Sequence, residues 1–446
     1  MKKYGLTGNP LSHSMSAIIH NEILKIKNVD GEYTLYPDEN LSKSFEEILS
    51  KLNGFNITIP YKKDIIKYLD ELSDKVKLYN SCNTVKIENG KTKGYNTDVF
   101  GIHDTLKKNN VELFEKRVLV LGNGGVSSMI ACECALCDAE VSLLCRDNKK
   151  GEILKKEIFD KTGKTITLIT KEEFKEYDIL INGTPVGMYP DTLNSFFPLS
   201  KLKDIPVVFD TIYNPYETLL VRVSNYYGNK GISGLNMLVE QAIKAQEIFN
   251  GIALSKEEFD FVLNKAKESI HPFKISKNII LIGAPGCGKT TISREISSLL
   301  SVDFTDIDEE IEKREEKTIN EIFDKNGQEY FRKKEKEVFS DTLKEKGKVI
   351  STGGGLPEYI DLSKINKEEN IIVYLDVAKE VIINRIKDDN KRPLLKNGTD
   401  ALTELLQRRK PIYEKSFDIR IIVEKEKNIK DIAVEILDNI LTNHKM

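Results

Sequence analysis

The chain has 446 residues, 40% of them apolar and 31% charged, with 67 lysines and arginines against 70 aspartates and glutamates. This is the mix of a soluble globular protein of roughly three domains at about 150 residues each, and it excludes disorder and collagen-like repetition. A net charge of −3 offers no global attraction for nucleic acid or an anionic membrane, so any anionic ligand must be held by local groups. No apolar run approaches the roughly 18 residues of a membrane helix. Met1-Lys2-Lys3 leads into Tyr4-Gly5-Leu6-Thr7-Gly8, not into a hydrophobic signal core, so a cytoplasmic location is expected.

The first hundred residues carry compact polar clusters: Gly8-Asn9-Pro10-Leu11-Ser12-His13-Ser14-Met15-Ser16, Asn56-Ile57-Thr58-Ile59-Pro60-Tyr61-Lys62, Ser81-Cys82-Asn83-Thr84 and Gly94-Tyr95-Asn96-Thr97-Asp98. Their hydroxyls, amides, amine and carboxylate suit a small polyhydroxylated substrate. The buried-strand pattern Val118–Leu121 then runs into Gly122-Asn123-Gly124-Gly125-Val126-Ser127-Ser128 and a helix-compatible stretch. Glycines in that setting let the backbone turn sharply and approach a pyrophosphate at a helix N-terminus. Along that helix Cys132 and Cys134 point about 200° apart, so with Cys137 they read as buried, inert thiols and not as metal ligands.

The next strand, Val141–Leu144, ends at Cys145-Arg146, where a dinucleotide site selects its adenosine ribose. The Arg146 guanidinium suits the 2′-phosphate of NADP, while Asp147 beside it can still be read as an NAD selector. Ile179–Ile181 and Val207–Asp210 read as further strands, and Lys267–Phe273 as a charged, flexible linker. After it, Ile279–Ile282 is a strand and Gly283-Ala284-Pro285-Gly286-Cys287-Gly288-Lys289-Thr290-Thr291 completes a phosphate loop. Its backbone N–H groups cradle phosphates, Lys289 reaches the terminal ones, and the Thr290 hydroxyl suits Mg²⁺. With Val349–Ser351 and Ile371–Leu375, strands alternate with helical patterns throughout, which predicts parallel α/β sheets.

Taken in order, the clusters of the first half closely resemble shikimate dehydrogenase. The likeness continues through Asn182-Gly183-Thr184-Pro185-Val186-Gly187-Met188, Asp210-Thr211-Ile212-Tyr213-Asn214-Pro215 and Gly234-Leu235-Asn236-Met237-Leu238-Val239-Glu240-Gln241, covering about residues 1 to 265. The resemblance implies a shikimate pocket built from Ser14, Ser16, Thr58, Lys62, Asn83, Asp98, Tyr213 and Gln241, with Lys62 and Asp98 as the catalytic pair. It also implies an NADP(H) site from Gly122, Asn123, Gly124, Gly125, Val126, Arg146, Gly234 and Met237. Chemistry agrees: hydride arrival at a carbonyl carbon leaves charge on oxygen, which an ammonium can stabilise and protonate. Ala17, Val126 and Cys145 depart from the family's usual proline, alanine and asparagine, on the helix-entry and adenosine sides only. His13 is given no catalytic role.

In the second half, Phe304-Thr305-Asp306-Ile307-Asp308, Phe331-Arg332-Lys333-Lys334-Glu335 after Gly327, Ser351-Thr352-Gly353-Gly354-Gly355, Arg392-Pro393-Leu394-Leu395 and Arg408-Arg409-Lys410-Pro411-Ile412-Tyr413 follow the phosphate loop and together resemble shikimate kinase. The resemblance implies Asp308 as the group that orients or deprotonates the attacking hydroxyl, and Asp306 with Thr290 at Mg²⁺. Arg332 and Arg409 clamp the shikimate carboxylate, Arg409 chosen over Arg408 by its distance from Pro411 and Tyr413. Gly354, within its triplet, lets the backbone approach the ring, and Arg392 closes over the triphosphate on a lid. ATP is held by Gly283, Gly286, Cys287, Gly288, Lys289, Thr290, Thr291 and Arg392. Gln328, where the family commonly has glutamate, is expected to affect packing alone.

The resulting expectation is an α/β chain in two parts. Residues 1–100 with 230–267 form a shikimate-binding lobe, 101–229 a Rossmann-type NADP lobe, 268–277 a linker, and 278–446 a kinase of the nucleoside-monophosphate-kinase type. The expected activities are NADPH-dependent reduction of 3-dehydroshikimate to shikimate, then ATP- and Mg²⁺-dependent phosphorylation to shikimate 3-phosphate. The partners are these small molecules, without nucleic acid or membrane. The competing readings are a dehydrogenase that also takes quinate or NAD, joined to another small-molecule kinase, and a chain in which one half is inactive and regulatory.

Overall fold

A computed structural model of the chain describes residues 1–12, 14–170, 173–386 and 398–443. The chain divides into two compact units, Met1–Tyr189 with Asp204–Pro272, and Pro190–Lys203 with Phe273–Met446. Among the described residues the strands make three sheets, two in the first unit and one in the second.

The first sheet comprises β1 (Lys2–Gly8), β2 (Gly31–Pro37), β3 (Gly54–Ile57), β4 (Glu71–Leu72), β5 (Thr84–Glu88) and β6 (Lys91–Tyr95), in the order β2-β1-β3-β5-β6-β4. β1 pairs parallel with β2 and β3, but β5 runs antiparallel to both β3 and β6. The expectation of parallel sheets throughout is corrected here. Its cause is local: Asn89 and Gly90 take φ of 52° and 74°, the left-handed geometry that closes a two-residue hairpin between β5 and β6. The late helix Gly234–Asn250 returns to this lobe, where Ala245 and Phe249 pack with Tyr4, Leu6 and Leu24.

The second sheet is wholly parallel: β7 (Arg117–Leu121), β8 (Glu140–Leu144), β9 (Thr167–Ile169), β10 (Ile179–Asn182), β11 (Val207–Asp210) and β12 (Lys230–Ser233), in the order β12-β11-β10-β7-β8-β9. Val118 to Leu121 are fully buried, as a continuous apolar run in a sheet covered on both faces requires. The strand order reverses between β7 and β10, and the carboxyl ends there open the crevice in which such sheets bind ligands.

In the second unit β13 (Asn278–Gly283), β14 (Phe304–Asp306), β15 (Val349–Ser351), β16 (Asn370–Val377) and β17 (Ile419–Val423) form a parallel sheet in the order β14-β15-β13-β16-β17. Ile280, Ile282, Ile350 and Ile372 from its strands pack with Ile307, Ile311, Phe331 and Phe339. This unit also contains Pro190–Lys203, a stretch the sequence reading keeps with the nucleotide lobe. Leu199 and Leu202 are fully buried there, and the Asp438 carboxylate accepts hydrogen bonds from the Leu199 and Ser200 amides at 2.6 and 2.9 Å. The expected flexible linker is more ordered than its composition implies. Lys267 lies in the helix Lys256–Glu268, and Phe273 and Ile275 are buried.

Candidate active sites

The chain ends of the first sheet's strands converge on one cavity of about 240 Å³. Ser14 and Ser16 follow β1 at the start of the helix Ser16–Ile26, Thr58 and Lys62 follow β3, Asn83 precedes β5, and Asp98 opens the helix Asp98–Lys108 after β6. Tyr213 follows β11, and Gln241 comes from the returning helix Gly234–Asn250. All eight line the cavity. Four sequence clusters far apart in the chain thus line one cavity, because three lie at the ends of strands and Ser81–Thr84 lies at the start of β5, which runs antiparallel to its neighbours.

Within the cavity the Lys62 ammonium donates to Asp98 Oδ2 at 2.7 Å, and Asn83 Nδ2 donates to Asp98 Oδ1 at 2.9 Å. Asn83 is fixed in turn by the Thr97 amide, which donates to its Oδ1 at 2.7 Å. Both carboxylate oxygens are therefore held, and the carboxylate fixes the position of the ammonium. Burial raises the Tyr213 phenol above its ordinary range. Asn56, not assigned from the sequence, lines the same cavity. It donates to Thr84 Oγ1 at 2.8 Å and accepts from the buried Tyr33 hydroxyl at 2.8 Å. Its only sequence signal is its place at the head of the cluster that ends in Lys62. His13 lies outside the described residues.

The glycine turn joins β7 to the helix Gly125–Leu136. Gly122 has φ +92°, and a Cβ there would stand 2.7 Å from Thr184 Cγ2 and 2.9 Å from Ser127 Oγ, so its glycine serves close strand-to-helix packing. Gly124 and Gly125 differ: both are exposed, and no protein atom lies within 4 Å of a Cβ built on either. Open space at an uncapped helix N-terminus is what a pyrophosphate needs. Asn123 donates to the Asp147 carbonyl at 3.4 Å, and Val126 is half-buried on the same turn. Arg146 is exposed just past β8, whereas the Asp147 side chain caps the helix Asn148–Thr162 by accepting from the Lys150 amide at 3.2 Å. That engagement favours Arg146 over Asp147 as the ribose selector.

Gly234 and Met237 have packing reasons of their own. A Cβ on Gly234 would stand 2.1 Å from the Thr211 carbonyl oxygen, and the Met237 carbonyl lies against Gly101. Cys132, Cys134 and Cys137 are free thiols, the first two buried, and burial raises all three pKa values. Among the described residues no group of three His, Cys, Asp or Glu side chains is placed to hold a metal.

In the second unit the phosphate loop links β13 to the helix Lys289–Leu300, with Gly286 and Gly288 at φ +79° and +97°. Lys289 is buried and donates to the Gly283 and Ala284 carbonyls at 3.0 Å each, which keeps its ammonium on the loop. Cys287 is fully buried, and Thr291 is exposed. Thr290 Oγ1 donates to Asp306 Oδ2 at 2.7 Å. The other Asp306 oxygen caps the helix Ile307–Glu315 through the Asp308 and Glu309 amides, so capping and the proposed metal role coexist in one carboxylate. Arg385, not singled out from the sequence, donates to the Cys287 carbonyl at 2.9 Å.

Next to this loop, Asp308, Arg332 and the glycine triplet meet. A Cβ on Gly353 would stand 2.4 Å from Glu335 Oε1 and 3.0 Å from Asp308 Oδ1; one on Gly354 would stand 2.9 Å from Pro285 of the phosphate loop; one on Gly355 would stand 2.7 Å from Arg332 Nη2. Burial first, then the Asp306 and Glu335 carboxylates, push the Asp308 carboxyl up to about 7, against the pull of Lys289 and Arg332. Arg332 Nη1 donates to Glu335 Oε2 at 2.5 Å, while Arg332 Nε and Glu335 Oε1 are buried without a hydrogen-bond partner. A donor and an acceptor left unpaired side by side suit a ligand that carries both a carboxylate and hydroxyls. Glu335, three positions after Arg332 in the same motif, is a further site residue with no separate signal in the sequence. Arg409 is buried and Arg408 mostly exposed, which separates these neighbours as the sequence could not. Gln328 donates to the Tyr359 hydroxyl at 3.3 Å. Arg392 lies outside the described residues.

The model of the shikimate dehydrogenase substrate binding domain family matches residues 6–85, and that of the shikimate kinase family matches residues 285–441. A shikimate dehydrogenase (NADP(+)) of Methanococcus maripaludis (strain C6) is 38% identical over 275 residues, 60% of this chain and 97% of the relative. One from Clostridium beijerinckii is 38% identical over 262 residues, 58% of this chain and 95% of its own. Among solved structures, a shikimate dehydrogenase in complex with NADP+ superposes with TM-score 0.56 at 34% identity, over 61% of this chain and 96% of that one. A chorismate mutase/shikimate 5-dehydrogenase fusion protein from Clostridium acetobutylicum gives TM-score 0.56 at 32% identity, over 60% and 98%.

Proposed function

Because the chain belongs to the shikimate dehydrogenase family and carries a shikimate kinase domain, a bifunctional shikimate-pathway enzyme, we propose that Lys62 and Asp98 serve its reduction step and that Lys289 and Asp308 serve its phosphorylation step. The corresponding assignment of the chain is a substrate lobe from 1–100 and 230–267, an NADP lobe from 101–229 less Pro190–Lys203, which belongs to the second unit, a linker from 268–277 and the kinase from 278–446. In the substrate lobe Ser14, Ser16, Thr58, Asn83, Tyr213 and Gln241 bind the hydroxyls and carboxylate of 3-dehydroshikimate.

NADPH, named for the relatives and suited by the open glycine turn and by Arg146, supplies the hydride when bound. The side chains do the rest. The Lys62 ammonium, aimed by Asp98, stabilises the oxygen of the ketone as charge develops and gives it a proton. The Lys62–Asp98 contact inside a small polar cavity is the observation that carries this half.

In the kinase, ATP supplies the phosphoryl group, with Lys289 and the loop amides at its phosphates. Thr290 and Asp306 offer Mg²⁺ the hard oxygen ligands it prefers. Asp308 takes the proton of the attacking hydroxyl; a carboxyl poised at about 7 is matched to that task. Arg332 and Arg409 hold the carboxylate of shikimate, and the glycine triplet lets the ring approach. The convergence of Asp308, Arg332 and Gly353–Gly355 beside the phosphate loop carries this half.

One assay tests both. Starting from 3-dehydroshikimate, NADPH, ATP and Mg²⁺, the chain should oxidise NADPH and accumulate shikimate 3-phosphate. Lys62→Ala should stop both signals, and Asp308→Asn only the second. Phosphate ester formed by the Asp308 variant at the native rate removes that residue from the mechanism.

A further inference from the structure

Two consecutive residues after the glycine triplet each engage one of the two arginines assigned to the acceptor carboxylate. The turn Leu356–Glu358 is closed by the Glu358 and Tyr359 amides, which donate to the Gly355 and Leu356 carbonyls at 3.0 Å each. Glu358 Oε2 accepts from Arg409 Nε at 3.0 Å and lies 2.9 Å from its Nη2. Glu358 Oε1 stands in the same relation to the exposed Arg408, with Nε and Nη2 both at 3.1 Å. The ring of Tyr359 lies 4.9 Å from the Arg332 guanidinium, whose other neighbour is the Phe331 ring at 5.1 Å.

This arrangement leaves Arg409 little freedom. Its Nε–Nη2 edge is taken by a carboxylate that is itself 85% removed from solvent, and its side chain is 9% exposed. It also meets the Tyr413 hydroxyl, which donates to the Gly354 carbonyl at 2.6 Å.

We infer that Glu358 is a positioning residue of the kinase acceptor site, which sets the plane in which Arg409 meets the carboxylate of shikimate. Fixing the guanidinium before binding lowers the ordering cost that the acceptor would otherwise meet. The inference rests on the reading of Arg409 as a carboxylate clamp, and the test separates the two.

Kinase kinetics are measured on the full chain with shikimate and ATP for Glu358→Gln, Glu358→Asp, Arg409→Ala and the double variant Glu358→Gln/Arg409→Ala. Glu358→Gln, of nearly the same shape, should raise KM for shikimate about tenfold while kcat and KM for ATP stay within about twofold. Glu358→Asp should recover part of the loss. Arg409→Ala should raise the same KM at least as much, and the double variant should add nothing further, because Glu358 acts through Arg409. A native KM in Glu358→Gln beside a raised KM in Arg409→Ala overturns the inference alone. A lowered KM in Glu358→Gln also overturns it, making Glu358 a competitor of the acceptor. A native KM in Arg409→Ala overturns the clamp reading.

Discussion

Asp98 holds Lys62 with one carboxylate oxygen, at 2.7 Å, and is itself held at the other by Asn83, at 2.9 Å. The ammonium therefore faces the cavity from a fixed point. An ammonium used mainly as the charge develops on the ketone contributes to turnover more than to binding. Lys62→Ala should lower kcat for 3-dehydroshikimate reduction by about 10²–10⁴, the usual worth of a general acid, with KM changed only a few-fold. Steady-state NADPH oxidation reads this directly; near-native kcat would take the proton-transfer role away from Lys62.

Arg146 stands exposed beyond β8 while Asp147 is engaged as a helix cap. If the guanidinium holds the 2′-phosphate, Arg146→Ala should weaken NADPH by about 10- to 100-fold, the worth of a charge-assisted hydrogen bond, and leave NADH unaffected. Fluorescence titration of both nucleotides decides it. Equal weakening of the two would mean that Arg146 shapes the turn and does not read the phosphate.

The clusters that line the reductase cavity were legible because each is a local run of chemistry-bearing residues at one end of a strand, as Thr58–Lys62 after β3 shows. The glycine turns were legible for the same reason. What the sequence hid depends on tertiary partners. Nothing near Glu358 in the chain signals that it meets Arg409 fifty-one positions on. Nor does the loop Pro190–Lys203 advertise that its amides are received by Asp438. The antiparallel β5–β6 pair is a different case. Glu88-Asn89-Gly90-Lys91 is a strong hairpin signal between two strands, overlooked under the weight of the parallel pattern elsewhere.

Thr290 and Asp306 offer two oxygens to Mg²⁺, and no resident cluster of ligands is present among the described residues. The metal should therefore arrive with the nucleotide and leave freely. Chelation with EDTA should abolish phosphorylation while NADPH oxidation by the same sample continues at its full rate, and added Mg²⁺ should restore the lost activity. Asp306→Asn should raise the Mg²⁺ concentration required for half-maximal kinase rate. A kinase that survives complete chelation would exclude this use of Thr290 and Asp306.

Glu133, buried on the helix Gly125–Leu136, meets three donors: Lys75 at 2.5 Å and the Tyr79 hydroxyl from the substrate lobe, and His103, on the helix Asp98–Lys108, at 2.7 Å. Burial alone would raise its carboxyl, but His103, Lys75 and Tyr79 together hold it down at about 2, below the ordinary 4.5. A depressed carboxyl adds stability that is complete above its unfolded value and is lost as pH falls toward the folded one, here between about 4.5 and about 2. Glu133→Gln should therefore lower the midpoint of thermal inactivation of the dehydrogenase at pH 7 and flatten its acid dependence in that window. The cost should be roughly 1–2 kcal/mol, less than for a fully enclosed pair, because Lys75 and His103 are each about a third exposed. An unchanged midpoint would reduce the cluster to a surface contact.

The Asp308 carboxyl, pushed up to about 7 mainly by burial, makes the kinase step sensitive to pH near neutrality. A base works as the carboxylate, so kcat/KM for shikimate should rise with pH through about 7 and level off above it. Removing a neighbouring carboxylate should move that limb in a known direction. Glu335 is among the groups that raise Asp308, so Glu335→Gln should shift the limb to lower pH, even as it weakens shikimate by freeing Arg332. Asp308→Asn should abolish most of the rate and erase the limb from what remains. The profile is taken at saturating ATP, following shikimate 3-phosphate. A limb that stays in place in Glu335→Gln would assign the titration to a group other than Asp308.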